Sequence, residues 1–176
     1  GYISVVAVNP KGQQHLRLVS TVNQEQKVLR EDIEPVGYYG WLNSTKAGVF
    51  VLGDIMTLQI LDTESNEQPR VLAENIGRCF EAVATDLVTF TIEEEGIHHL
   101  YTLNDEGDLT SADIKLPEGV QDYTWLDQTH VVVGQDSKLL LVDAATTKEL
   151  AELGELGVSG ITRLALSPDK KTVAIV

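Results

Sequence analysis

The sequence predicts an all-β chain built as β-propeller blades, each a sheet of four antiparallel strands, and three observations carry that prediction. Residues 16–21 followed by 28–33 are echoed by residues 58–63 followed by 71–76, at spacings of 42 and 43. Ser20, Asp62, Asn104 and Asp143 each close an apolar run and open a polar turn, at spacings of 42, 42 and 39. Trp41, Val83, Trp125 and Leu166 each stand near the end of a first-strand pattern, at spacings of 42, 42 and 41. A period of about 40–45 residues is that of a propeller blade, a small sheet that buries its faces by stacking on its neighbours. Divided at that period, the chain holds three complete blades at residues 35–76, 77–119 and 120–159, flanked by partial ones at 1–34 and 160–176.

The chain enters in mid-strand. Residues 3–8 are β-branched and apolar, and Asn9-Pro10-Lys11-Gly12 supplies a turn in which Pro fixes φ and Gly accepts a positive φ. Residues 16–19 and 27–30 follow as strands, so the opening strand of this unit is expected ahead of Gly1. The second unit places strands at 38–42, 48–52, 56–61 and 69–73. Pro69 cannot donate to a ladder, which assigns it to the start of an outer, edge strand. The third places strands at 78–84, 87–92, 97–103 and 109–116, with Glu93-Glu94-Glu95-Gly96 and Asn104-Asp105-Glu106-Gly107 as hairpin tips. In the fourth, 123–126, 130–133 and 139–142 are strands, whereas the Ala, Glu and Leu-rich run 148–153 suits either a strand or a short helix. Residues 161–176 give two strands of a fifth unit, joined at Ser167-Pro168-Asp169. An arc with two raw ends exposes apolar surface. Those ends are therefore expected to be covered by missing blades, by a second chain, or by a closure that sets 161–166 beside 3–8.

Composition removes several function classes. With 13 Lys plus Arg against 27 Asp plus Glu, the formal charge is −14, which repels phosphate backbones and anionic lipid and argues against nucleic-acid binding. No window approaches the 18 or so apolar residues of a membrane span, so no membrane insertion is expected. The single cysteine, Cys79, lies in an apolar run and reads as a small buried residue. The chain starts without Met and without a signal-type run, which suggests a processed product or part of a longer protein.

Sites of chemistry are sparse. His15, His98, His99 and His130 have no metal-ligand spacing, and adjacent His98 and His99 on a strand point to opposite faces. Asn104 to Asp108 groups oxygen donors around a Gly but lacks the alternating ligands and distal Glu of a calcium loop, and Glu93 to Glu95 read as a solvated tip. No Gly-x-Ser-x-Gly or phosphate-binding loop occurs. No cofactor and no metal are expected. Trp41 and Trp125, with Tyr39 and Tyr123 two positions before them, are the candidates for a ligand or partner surface at a propeller mouth. Packing between blades is the competing assignment for these rings.

At residues 167–176 the pattern Ser-Pro-Asp-Lys-Lys resembles the Ser-Pro-Asp-Gly-Lys signature of the TolB-like, WD40-like propeller repeat (PD40), with Lys170 where that family has Gly. The Gly serves a left-handed backbone position, so Lys170 should cost about 1 kcal/mol there or force the turn to rearrange. Trp41-Leu42-Asn43 and Trp125-Leu126-Asp127 resemble the end of the repeat's first strand. The whole chain is similar to the C-terminal half of exported TolB-like proteins of Gram-negative bacteria. That resemblance implies a parent of about six blades with roughly three ahead of Gly1, a signal peptide, and a periplasmic or secreted location. It also implies a non-catalytic module that binds a protein or peptide through one end of its central channel. The alternatives place catalytic residues outside this chain: the substrate-gating propeller of a prolyl-oligopeptidase-type serine peptidase, or a metal-dependent propeller lyase.

Overall fold

Alternation along one strand decides the architecture. In β5 (Lys46–Val51), Ala47, Val49 and Val51 enter one apolar cluster while Phe50 enters another, with Gly48 between them facing Leu103. Apolar residues on both faces of a strand require a sheet packed on both sides. The computed structural model, which describes residues 1–176, meets that requirement with sheets stacked side by side.

The first sheet holds β1 (Tyr2–Val8), β2 (Gln14–Ser20) and β3 (Gln26–Val28). The second is β4 (Val36–Trp41), β5, β6 (Thr57–Asp62) and β7 (Val71–Glu74). The third is β8 (Glu81–Ala84), β9 (Leu87–Glu94), β10 (Ile97–Asn104) and β11 (Leu109–Lys115). The fourth is β12 (Tyr123–Trp125), β13 (Val131–Gln135), β14 (Lys138–Val142) and β15 (Thr147–Glu152). A last pair comprises β16 (Leu164–Leu166) and β17 (Val173–Ile175). Each sheet is an antiparallel meander in chain order, the arrangement of propeller blades. The inner strands β4, β8, β12 and β16 follow one another, each touching the next.

The core lies between blades, in three clusters. Leu16, Val36, Val49 and Leu61 fill the space between the first and second blades. Phe50, Leu58, Val88, Phe90 and Leu103 fill that between the second and third. Leu100, Ile114, Tyr123, Val131 and Leu140 fill that between the third and fourth. Leu16, Leu58 and Leu100, spaced by 42, are all fully buried, so the sequence period is the period of the core.

Several local expectations are revised by packing. Residues 148–153 adopt the strand alternative: β15 pairs with β14 through a register shift at Leu139/Leu140, and the helical preference survives only as a 3-10 turn at Gly154–Leu156. The outer strand β7 starts at Val71, leaving Pro69 in the lead-in. The strand expected from 78 starts at Glu81, because Arg78 is turned toward Asp122. The closure of 161–166 beside 3–8 does not form. β16 pairs with β17, and Ile161 is buried against Gly134 while its N–H reaches the Asp136 carbonyl at 2.8 Å. Lys170 does take the left-handed conformation, at φ 58°. Its ammonium donates to the Trp125 carbonyl at 2.6 Å, tying the turn to the fourth blade.

Candidate functional site

Residues one apart on an inner strand face different neighbours, and this sorts the aromatic candidates. On β4, Tyr39 and Trp41 face the first blade. The Tyr39 hydroxyl donates to the Ser4 carbonyl at 2.8 Å and the Trp41 indole N–H to the Ser4 hydroxyl at 2.9 Å. On β12, 84 residues later, Tyr123 and Trp125 repeat the device: their O–H and N–H both donate to Thr89 Oγ1 at 2.9 Å. Thr89 is 1% exposed, and its own hydroxyl reaches the Glu81 carbonyl at 3.3 Å. A buried hydroxyl with one donor and two acceptor positions is thereby fully used.

Tyr123 is 1% exposed, and burial pushes its phenol well above the ordinary tyrosine range. The expectation that it forms part of a partner surface is corrected: its ring is interior. Trp41, Trp125 and Tyr39 are half-buried. Trp125 walls a cleft of about 490 Å³ at the rim, with Val83, Leu87, Gln128 and Lys170 around it. Trp41 walls the counterpart, about 390 Å³, with Tyr2, Leu18, Lys27 and Asn43.

At the other end of the inner strands a cavity of about 420 Å³ opens, lined from all four of them and from Val6. Tyr38, Phe80, Asp122 and Arg163 stand there, at spacings of 42, 42 and 41. Arg78 grips Asp122 through Nη2 at 2.6 Å and Nε at 3.1 Å, and this hydrogen-bonded pair raises the guanidinium's already high pKa. Arg163 reaches across to Tyr38: Nη2 donates to the hydroxyl at 2.8 Å, and the guanidinium carbon lies 5.4 Å from the ring centroid. Burial pushes the Cys79 thiol up to about 12, and Sγ sits 3.3 Å from the Tyr123 carbonyl. A thiol so held is neutral at ordinary pH, hence a poor nucleophile and a good wall.

The other polar candidates serve the scaffold. His98 is buried, with Nδ1 3.0 Å from Thr91 Oγ1, and desolvation lowers its pKa. His130 sits on Asp127 at 2.9 Å, while the Asp127 carboxylate, well below its usual range, accepts backbone N–H bonds from Thr129 and His130. Asn104 spends its side-chain carbonyl on the N–H groups of Glu106 and Asp108, closing its hairpin. Sequence reasoning passed over Tyr38, Arg78, Asp122 and Arg163. Stepping the 42-residue period from Tyr38 instead of Trp41 would have reached Phe80 and Asp122, and the next step falls one residue past Arg163.

Four-stranded sheets stacked radially, with their inner strands lining one cavity, define a β-propeller. Known structures agree. The chain is similar to TolB from Acinetobacter baumannii, with a TM-score of 0.69 at 18% identity over 100% of this chain and 47% of that one. It is also similar to a functionally unknown protein from Desulfotomaculum acetoxidans, with a TM-score of 0.59 at 13% identity over 100% of this chain and 63% of that one. An uncharacterized protein from Listeria monocytogenes gives a TM-score of 0.52 at 13% identity, over 94% of this chain and 56% of the other. At these identities the likeness shows the fold. The chain thus spans about half the length of TolB. No protein-family model and no curated protein sequence matches it. No helix is long and apolar enough to cross a membrane.

Proposed function

We propose that the chain is part of a non-catalytic, exported propeller of the TolB-like kind, binding a protein or peptide at the channel mouth. The observation that carries this reading is the open cavity of about 420 Å³ walled by Tyr38, Phe80 and the neutral Cys79 thiol, with a few fixed polar groups among them. Apolar walls with a small number of placed hydrogen-bonding groups are the composition of a recognition site. Export rests on the family resemblance of the Ser167-Pro168-Asp169 turn. In the same reading, further blades or a second chain cover the two ends of the arc, where Tyr2 and Val176 are 64% and 81% exposed. Trp41 and Trp125 line a secondary surface at the rim clefts, and Tyr39 belongs to the wall of the channel-mouth cavity.

The test is selection of a peptide library on the full-length protein, followed by titration of the recovered peptides against variants. Tyr38→Ala should weaken binding about tenfold, while Val22→Ala, on an exposed outer hairpin, should leave it unchanged. Peptides indifferent to Tyr38→Ala would place recognition elsewhere. Turnover of a peptide or glycan, abolished by a point change in this chain, would overturn the non-catalytic reading.

A further inference from the structure

Of the two guanidiniums at the channel mouth, one is paired with a carboxylate and one is not, and the second has a definite chemistry. Four ionic side chains line the cavity: Arg78, Arg163, Glu81 and Asp122. Asp122 is committed to Arg78 through both carboxylate oxygens. Glu81 Oε2 accepts the backbone N–H of Trp125 at 3.0 Å. Arg163 has no carboxylate partner, and its two contacts, the Tyr38 hydroxyl and ring, are neutral. A guanidinium carries five N–H donors in a rigid fork, so most of its hydrogen-bonding capacity stays open.

Its placement also matters. Arg163 lies at the start of the last inner-strand segment and crosses to the inner strand of the second blade, 125 residues away in sequence. Stacking on Tyr38 and donating to its hydroxyl hold the fork over the cavity, so little ordering entropy is left to lose on binding. In a chain of charge −14, long-range fields disfavour anionic ligands. A guanidinium with no carboxylate in contact, exposed over the cavity, is therefore a local, short-range device.

Resting on the peptide-binding reading above, we propose that Arg163 is the specificity residue of the channel mouth and accepts a carboxylate from the bound peptide. The carboxylate docks on the free edge of the fork, while the apolar part of the same residue lies against Tyr38 and Phe80. An acidic side chain and a free C-terminus offer the same chemistry to that fork.

The experiment uses the full-length protein and one selected channel-binding peptide prepared in four forms: with a central Glu or Gln, each with a free or an amidated C-terminus. Isothermal titration should show the carboxylate-bearing form binding about tenfold tighter than its amide counterpart. The Glu/Gln comparison and the free/amidated comparison identify which carboxylate is read. Arg163→Gln should erase that difference between the carboxylate and amide forms, and Arg163→Lys should restore part of it. Arg163 is exposed, so neither change threatens the fold. Equal affinities for all four forms, with binding still sensitive to Tyr38→Ala, would overturn the carboxylate assignment and leave peptide binding standing. A library that yields no binder at the channel would overturn both.

Discussion

The contact between the second and third blades and the contact between the third and fourth solve one packing problem by different means. Between the second and third, the two inner strands of the second blade, β4 and β5, each carry a glycine at the contact. A Cβ on Gly40 would meet Phe80 Cβ at 3.0 Å, and one on Gly48 would meet Leu103 Cδ2 at 2.8 Å. Phe80 fills that space and stacks on Phe90 with centroids 6.2 Å apart, and Phe90 in turn meets Tyr101 at 6.1 Å. Between the third and fourth blades the inner strand of the fourth brings Tyr123 and Trp125 instead, and a single buried hydroxyl, Thr89, receives both donors. The contact between the first and second blades repeats that polar staple with Tyr39, Trp41 and Ser4. The apolar core therefore repeats every blade, whereas the polar anchors repeat every second blade. Apolar burial tolerates any ring or branched side chain of suitable volume. A buried donor demands its acceptor.

The sharpest way to break the apolar contact is Phe90→Ala. Phe90 is fully buried in the cluster between the second and third blades, and its removal should cost about 3–5 kcal/mol, read as a lower midpoint in urea unfolding. The polar contact should break more gently. Thr89→Val leaves the Tyr123 hydroxyl and the Trp125 indole N–H without their acceptor and should cost about 1–3 kcal/mol in the same assay. Ser4→Ala, at the half-buried counterpart, should cost less than Thr89→Val, because Tyr39 keeps its bond to the Ser4 carbonyl and water reaches Trp41. A larger loss at Ser4 than at Thr89 would mean that burial does not set the value of the staple.

The smallest effect expected is a titration. The Cys79 thiol packs on the same cluster as Trp125, and burial raises its folded pKa to about 12 from an ordinary value of 9.0. The neutral form is favoured on folding. Its contribution is complete below about pH 9 and is lost as pH rises toward about 12. Cys79→Ala should flatten the fall in stability over that window, and native Cys79 should resist alkylation at neutral pH until the chain unfolds. Rapid modification of the native protein would contradict this.

How far the sequence could be read follows from the same contrast. The blade period was legible because the block headed by Leu16 recurs as the block headed by Leu58, both residues fully buried, and burial is what an apolar pattern reports. At Lys170 the resemblance to the repeat's Gly position left a left-handed residue and a rearranged turn both open, and the left-handed residue is what forms. The strand at 147–152 was undecidable locally, since pairing with β14 overrode its helical composition. Trp41 and Trp125 were visible as markers, but not their anchoring: a hydroxyl acceptor on the preceding blade leaves no periodic trace when it is Ser in one place and Thr in another. The channel group was hidden for a related reason. Tyr38, Phe80, Asp122 and Arg163 keep the spacing but share no residue type, and the contact from Arg163 to Tyr38 spans most of the chain.

The most direct measurement is a pair of double-mutant cycles for unfolding, one on Thr89 and Tyr123 and one on Ser4 and Trp41, using Thr89→Val, Tyr123→Phe, Ser4→Ala and Trp41→Phe. If the polar staples repeat every second blade, each cycle should return a coupling of about 0.5–3 kcal/mol, while the cross pair Ser4 and Tyr123 should be additive within about 0.5 kcal/mol. Additivity at Thr89 and Tyr123, or coupling between Ser4 and Tyr123, would contradict the arrangement of blades described above.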